Sequence, residues 1–204
     1  MVLYGMHKCS FVFETGNSID IHHEYCYPGL GPIGELAGSR EVKLSDVTRG
    51  IHYVNTFQLA HVLYGPSYVS FQAALCYWDI IPEYAYHVVC ATCKRDKFTI
   101  HVNGGCSYYY ERIPQEVFTM YVDTWYDEDG SVFCHLATRE KAVCDQLYSL
   151  PDMEDVDELQ ILMFEDQRFD EDDIAALNRS WISDLADHYG SRNVTLLDEY
   201  LGSF

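Results

Sequence analysis

Cysteines and histidines are the first residues in the chain that could do chemistry. Cys90 and Cys93 form a Cys-x-x-Cys pair, and His101 and Cys106 follow it. Thiolates and imidazoles at such spacing can hold zinc, but a closed tetrahedral site needs four converging ligands. The pair lies on a predicted strand and its end, and the chain has no second Cys-x-x-Cys pair. We therefore predict ordinary cysteines and no metal here, with zinc binding and redox chemistry as alternatives.

A second candidate metal cluster lies near the beginning of the chain. His22, His23, Glu24 and Cys26 are all residue types that ligate metals. The stretch has no helical His-x-x-x-His spacing, and the glycines and prolines that follow it break regular structure. We again predict no metal, with a site formed by these side chains as the alternative.

Glu140, Lys141 and Asp145 resemble the carboxylate and lysine sets of nucleases and transferases. Metal-assisted phosphoryl chemistry needs two or three acids that converge on the metal. Glu140 and Lys141 are adjacent and point in different directions on a helix, whereas Asp145 follows Lys141 by four residues and can pair with it. We therefore predict a structural role, no catalytic residue, no cofactor and no enzyme activity. A binding surface is one alternative, and a metal-dependent nuclease or transferase is the less favoured one.

Charge restricts the class of partner. The chain has 204 residues, with 13 basic and 32 acidic side chains and a formal net charge of −19. Residues 151–204 contain 3 of the basic and 15 of the acidic side chains. Phosphate-backbone binders and proteins of anionic membrane surfaces carry basic surfaces, so both classes are disfavoured. The acidic segment is interpreted either as a solvated helical face or as a surface for a basic protein partner.

Two groups of charged residues are therefore candidate partner-binding surfaces. The basic group stands out in so acidic a chain, although it can equally protect a strand edge from aggregation. The acidic group lies at the predicted start of a long helix. The residues of the two groups are Lys94, Arg95, Lys97 and Arg112, and Asp170, Glu171, Asp172 and Asp173.

The elements that position these residues indicate an α+β fold. Alternating apolar residues and turn signals predict a small, mostly antiparallel sheet of about five strands, at 86–92, 97–102, 107–112, 117–126 and 131–136. Helical spacing predicts helices at 57–63, 68–78, 139–149, 153–164, 171–188 and 194–201. Side chains of Ser67, Thr138 and Asp170 are expected to cap three of these helices at their N-termini. Gly190 suits the position after a helix, and Trp181 is expected to face inward.

The charge step near Pro151 suggests how the chain is organised. We predict an irregular segment at 1–50, a core at 51–150, and an acidic helical extension of the same domain at 151–204. The sequence shows neither an apolar run of about 18 residues nor the pattern of a secretory signal. These features predict a cytoplasmic protein with reduced cysteines.

Three segments, in a fixed order, resemble the C-terminal domain of AbiEi-type antitoxins. The first is Gly65-Pro66-Ser67-Tyr68-Val69-Ser70, the second combines Val88-Val89-Cys90-Ala91-Thr92 with Tyr108-Tyr109-Tyr110, and the third runs from Leu136 to Ala142 and is completed by Asp145. The resemblance covers roughly residues 50–150. The residues that carry the family motif are Pro66, Ser67, Tyr68, Ser70, Tyr109, Thr138, Glu140, Lys141 and Asp145.

The resemblance implies one half of a toxin–antitoxin, or abortive-infection, pair that acts in phage defence. The family's usual partner is a nucleotidyltransferase-like toxin, which is antagonised directly or indirectly. Many members also carry an N-terminal winged helix-turn-helix, but residues 1–50 lack its amphipathic helices. We therefore expect no DNA binding through this chain alone. A transcriptional regulator with a reduced or partner-supplied DNA-binding module is the alternative.

Overall fold

A mixed β-sheet forms the centre of the computed structural model, which describes residues 39–42, 56–82, 87–94, 98–102, 106–126 and 132–203. Seven strands lie within these residues: β1 Ser39–Val42, β2 Ser67–Val69, β3 Val88–Thr92, β4 Phe98–Val102, β5 Ser107–Arg112, β6 Val122–Tyr126 and β7 Val132–Ala137. Their order across the sheet is β1-β4-β5-β3-β2-β7-β6. The seven α-helices in the same part of the chain are α1 Thr56–Leu63, α2 Phe71–Tyr77, α3 Arg139–Tyr148, α4 Val156–Ile161, α5 Glu171–Ala175, α6 Arg179–Tyr189 and α7 Arg192–Leu201.

The predicted α+β class is confirmed, but the sheet is mixed rather than mostly antiparallel. Among the described strands, β2/β3, β4/β5 and β6/β7 pair antiparallel. The pairs β1/β4, β3/β5 and β2/β7 are parallel. The two predicted hairpins are present, as β4/β5 and β6/β7. The parallel pairs β3/β5 and β2/β7 arise because β2 and β3 lie between the two hairpins, which chain order alone does not indicate.

The prediction that Ser67 caps a helix beginning at Tyr68 is wrong. Residues Ser67–Val69 form β2, which pairs with β3 and contacts β7 through Val69 and Leu136. The Ser67 hydroxyl donates a hydrogen bond to the Tyr64 carbonyl instead of capping a helix. Helix α2 starts only at Phe71. Strand pairing on both sides of these three residues therefore overrides their helical spacing.

The predicted helix over 171–188 is two helices, α5 and α6, separated near Asn178. The predicted Asp170 cap is confirmed, because its Oδ1 accepts from the Asp173 N–H at 3.1 Å. Asn178 then starts α6, and its Oδ1 accepts from the Ser180 N–H at 3.1 Å. The break changes the helical phase, so Trp181 is 37% exposed rather than inward-facing. Its ring stacks on Tyr121 at a centroid distance of 4.7 Å.

Replacing the Asn178 cap should weaken the start of α6. Asn178→Ala removes the oxygen that satisfies a free backbone N–H, and we expect the free energy of unfolding to fall by about 0.5–2 kcal/mol. Urea denaturation followed by circular dichroism measures the change. Asn178→Ser keeps a capping oxygen and serves as the control. A loss in the serine variant equal to that in the alanine variant would show that the cap is not the cause.

The helices after residue 150 pack on the rest of the domain. Helix α3 contacts α2 on one side and α6 and α7 on another. Ile182 and Leu185 of α6, and Val194 and Leu197 of α7, are fully buried. Apolar residues of the acidic segment therefore complete the core, while its carboxylates occupy the outer face. No helix within the described ranges combines the length and apolar character needed to cross a membrane.

Candidate functional site

A buried carboxylate, Asp145 of α3, lies at the centre of a polar cluster that links several of the predicted motif residues. Its side chain has no exposed surface. Oδ2 accepts from the Tyr68 hydroxyl at 2.9 Å and from the Ser70 hydroxyl at 2.5 Å. Oδ1 accepts from the Tyr189 hydroxyl. Three neutral donors therefore supply the hydrogen bonds that the carboxylate would receive from water if it were exposed.

Lys141 supplies the matching positive charge one helical turn before Asp145. Its Nζ lies 3.3 Å from Asp145 Oδ1 and donates a hydrogen bond to the Tyr189 hydroxyl. The ammonium also lies 4.4 Å from the centroid of the Tyr189 ring, within range of a cation–π contact. Lys141 is as completely buried as Asp145. We call these five side chains the Lys141–Asp145 network: Tyr68, Ser70, Lys141, Asp145 and Tyr189.

Local structure explains why these side chains meet. The Thr138 hydroxyl accepts from the Lys141 N–H at 3.3 Å, which confirms the predicted cap and fixes the start of α3. The i, i+4 spacing then places Lys141 and Asp145 on one helical face. Tyr68 lies in β2 and Ser70 directly follows it, a spacing of two that points both side chains to one side. Tyr189 is the last residue of α6.

The ends of the network are held by further helix contacts. Gly190 follows Tyr189 with φ of +60°, the left-handed conformation predicted for a helix C-terminus. Glu140 faces away from Lys141, and its Oε1 accepts from the Asn178 N–H at 2.9 Å, where α6 begins. Both ends of α6 are therefore fixed to α3, one through Glu140 and the other through Tyr189.

Burial changes the proton affinity of the network. It raises the pKa of Tyr68 and of Tyr189 well above the ordinary value of 10.0, and the charge of Asp145 acts in the same direction. Burial lowers the pKa of Lys141, while the attraction of Asp145 opposes that change. The two tyrosines therefore stay protonated and keep donating to Asp145.

These tyrosines should limit stability at alkaline pH. A tyrosine whose pKa is raised in the folded state stabilises the fold fully below its unfolded pKa, near 10, and loses that contribution as pH rises further. We expect the free energy of unfolding to fall steeply above about pH 10. Urea denaturation between pH 8 and pH 11 measures the slope. Tyr189→Phe should make it shallower, and an unchanged slope in that variant would contradict the assignment.

The side chains of the network are almost completely buried. Every member is at most 3% exposed, and the groups bond to one another. Tyr68 also lines a cleft of about 410 Å³, whereas Lys141 and Asp145 have no exposed surface. The nuclease alternative needs Glu140, Asp145 and a third acid around a metal, but Glu140 and Asp145 bond to different partners. Within the described ranges, no group of three metal-ligating side chains is present.

Four of the nine predicted motif residues belong to the network: Tyr68, Ser70, Lys141 and Asp145. Thr138 and Glu140 support it through the bonds given above. The Ser67 hydroxyl instead bonds to the Tyr64 carbonyl, and the Pro66 carbonyl accepts from the Thr92 hydroxyl at 3.0 Å. Tyr109 lies elsewhere: it is half-buried on β5 and its ring contacts His87 at 5.1 Å. Sequence reasoning missed Tyr189. An aromatic residue directly before the helix-ending Gly190 was the available signal.

The predicted basic group is described only in part. The Lys94 ammonium donates to the Gly65 carbonyl at 2.8 Å, so it is tied to the turn before β2. Arg112 is exposed at the end of β5, in register with Thr92. Arg95 and Lys97 lie outside the described residues. Lys94 follows β3 and Arg112 ends β5, its neighbour in the sheet, and the partner-binding role of this group stays a prediction.

The predicted acidic group lies beside a groove of about 550 Å³. Four acids, one cation and two aromatic residues line it, and we call it the acidic groove: Asp79, Asp170, Glu171, Asp172, Arg168, Phe164 and Phe169. Glu171 and Asp172 are exposed. Asp173 differs from the other three acids of the predicted group, because it is half-buried and forms an ion pair with Arg139. Aromatic side chains and carboxylates thus share one concave surface, which suits a partner with basic side chains and apolar stems.

Of the two predicted clusters of cysteine and histidine, only the one around Cys90 lies within the described residues. Cys90 is fully buried on β3, and burial raises its pKa well above 9.0. Cys93 is half-buried beyond the end of the strand. The raised pKa keeps the free Cys90 thiol protonated, and the assignment of ordinary cysteines stays a prediction. His22, His23, Glu24 and Cys26 lie outside the described residues.

Comparison with known proteins adds no relative. No protein-family model matches the chain, and no curated protein matches it.

Proposed function

We propose that this protein is an antitoxin-like binding protein of a phage-defence, toxin–antitoxin system. It would counteract a cognate nucleotidyltransferase-type toxin in the cytoplasm, without catalysis and without a cofactor. Its contribution to transcriptional regulation would depend on a DNA-binding partner. The proposal rests on the motif resemblance and on the following features of the molecule.

The observation that carries the proposal is the meeting of two motif segments in one network. Tyr68 and Ser70 come from the first segment, and Lys141 and Asp145 come from the third. The Tyr68–Asp145 bond joins residues 77 positions apart. If the similarity of these separate short segments were due to chance, there would be no reason to expect such a contact. The contact therefore supports the view that the segments together encode one folded core.

The acidic groove supports a binding role. A partner with a basic surface would be steered to it by long-range attraction, and its apolar stems would contact Phe164. The surrounding segment is strongly acidic, so the attraction extends beyond the groove. We propose this surface as the contact for a basic toxin where antagonism is direct.

Co-expression with the nucleotidyltransferase-like gene of the neighbouring locus tests the function. Growth rescue measures antagonism, and a pull-down from the same cells measures contact. Rescue with co-purification would support direct antagonism, and rescue without it would support indirect antagonism. A folded chain, present at an equal level, that gives no rescue would overturn the proposal.

A further inference from the structure

A cleft separate from the acidic groove lies between α1 and the strands β6 and β7. Its volume is about 410 Å³. His61 of α1 and His135 of β7 line it, with Thr124 on β6 and the apolar side chains of Phe118 and Val122. It thus combines two imidazoles with an apolar wall. The motif residues Pro66, Ser67 and Tyr68 also line it, but the proposed function does not use it.

The two imidazoles are spaced as ligands of one cation would be. Their ring centroids are 5.5 Å apart and their planes meet at 68°. A zinc–nitrogen bond of about 2.0–2.1 Å places a ring centroid about 3.2 Å from the ion, so two rings at a tetrahedral angle lie about 5.2 Å apart. The observed centroid separation is close to that value.

Each ring has a nitrogen available to a cation. The ring nitrogens of neutral imidazole are the atoms that bind metals. His135 Nδ1 lies 3.1 Å from the Thr124 hydroxyl, an outer contact that orients a metal-binding ring and leaves Nε2 available. His61 Nδ1 is buried without a hydrogen-bond partner among the described residues, so no such bond fixes that ring.

We propose that His61 and His135 form an open, two-imidazole site for a divalent transition cation such as Zn²⁺, Ni²⁺ or Cu²⁺. Imidazole nitrogen suits these ions and not Mg²⁺ or Ca²⁺. No third His, Cys, Asp or Glu joins the pair within the described ranges. The remaining coordination positions therefore face the cleft, where water or a donor atom of a bound molecule completes the shell. Such a site is labile, unlike a closed structural zinc site.

Isothermal titration of the full chain with Zn²⁺, Ni²⁺, Cu²⁺ and Mg²⁺ tests the site. We expect His61→Ala and His135→Ala each to lose one bound transition ion per chain relative to the wild type. His188→Ala, an exposed histidine on α6, is the matched control and should lose none. Affinity at the lost site should be higher for Cu²⁺ than for Zn²⁺, with no binding of Mg²⁺. Equal stoichiometry in the wild type and both site variants would overturn the proposal.

Two further measurements keep the test decisive if an alanine variant unfolds. Thr124→Val keeps the side-chain volume and removes the orienting hydroxyl, and we expect Zn²⁺ affinity at the site to fall about tenfold. In the wild-type protein, imidazole ¹⁵N spectra should show coordination shifts for two histidines together as one equivalent of Zn²⁺ binds. Unchanged affinity in Thr124→Val, together with no paired shift in the wild type, would exclude the site.

Discussion

Asp145→Asn should lower the free energy of unfolding by about 3–5 kcal/mol, because it leaves the Lys141 charge buried without a counter-charge. The same change weakens the hydrogen bonds from Tyr68, Ser70 and Tyr189, whose acceptor is then neutral. Urea denaturation at pH 7, followed by tyrosine and tryptophan fluorescence, measures the loss. The effect is large compared with the total stability of a domain of this size.

Two control variants identify the cause of that loss. Asp152→Asn removes an exposed carboxylate and should change stability by less than about 0.5 kcal/mol. Adding Lys141→Met to Asp145→Asn removes the stranded charge, so the double variant should be more stable than the sum of the single changes predicts. Additive losses, or an Asp145→Asn variant as stable as Asp152→Asn, would contradict a coupled network.

Neutralising the acidic groove should weaken binding of a basic toxin by about tenfold, or about 1.4 kcal/mol. The suitable change is Glu171→Gln with Asp172→Asn, since both side chains are exposed and line the groove. Asp170 and Asp173 are left intact, because the first caps α5 and the second pairs with Arg139. Growth rescue at limiting expression and the toxin dissociation constant at two salt concentrations measure the effect.

A matched change of charge elsewhere distinguishes the groove from net charge. Asp152→Asn with Asp187→Asn also removes two exposed carboxylates, and neither residue lines the groove. We expect this variant to rescue growth as the wild type does, at equal protein level. If both double variants bind the toxin as tightly as the wild type does, the contact lies on another surface. If both bind it more weakly than the wild type and by the same factor, net charge alone drives association.

Helix α3 shows what the sequence could predict. Its cap at Thr138, its extent and the Lys141–Asp145 pairing all follow from residues within ten positions of one another. The hairpin of β4 and β5 was predictable for the same reason, since alternation and a turn signal are local properties. Lys141 was also recognisable as a partner of Asp145, but its complete burial depends on Tyr189, which belongs to a different element.

Strand β2 and helix α6 show where sequence reasoning fails. Three residues suffice for β2 because β3 and β7 supply partners on both sides, and those partners are far along the chain. The apolar spacing of Ile174, Leu177 and Trp181 fits one continuous helix. The Glu140 side chain nevertheless binds the Asn178 N–H and the break exposes Trp181. In each case a long-range contact decides between local alternatives of similar energy.

The span of the Lys141–Asp145 network has a consequence for synthesis of the chain. Tyr68 and Tyr189 are separated by 121 positions and both bond to Asp145. Asp145 precedes Tyr189 by 44 positions, and at about 5–20 residues per second a ribosome needs roughly 2 to 9 s to extend the chain from one to the other. Throughout that interval the nascent chain carries Lys141, Asp145 and Tyr68 but still lacks Tyr189. Completion of α6 therefore controls when the core closes, and a chain released earlier is a substrate for proteases and chaperones.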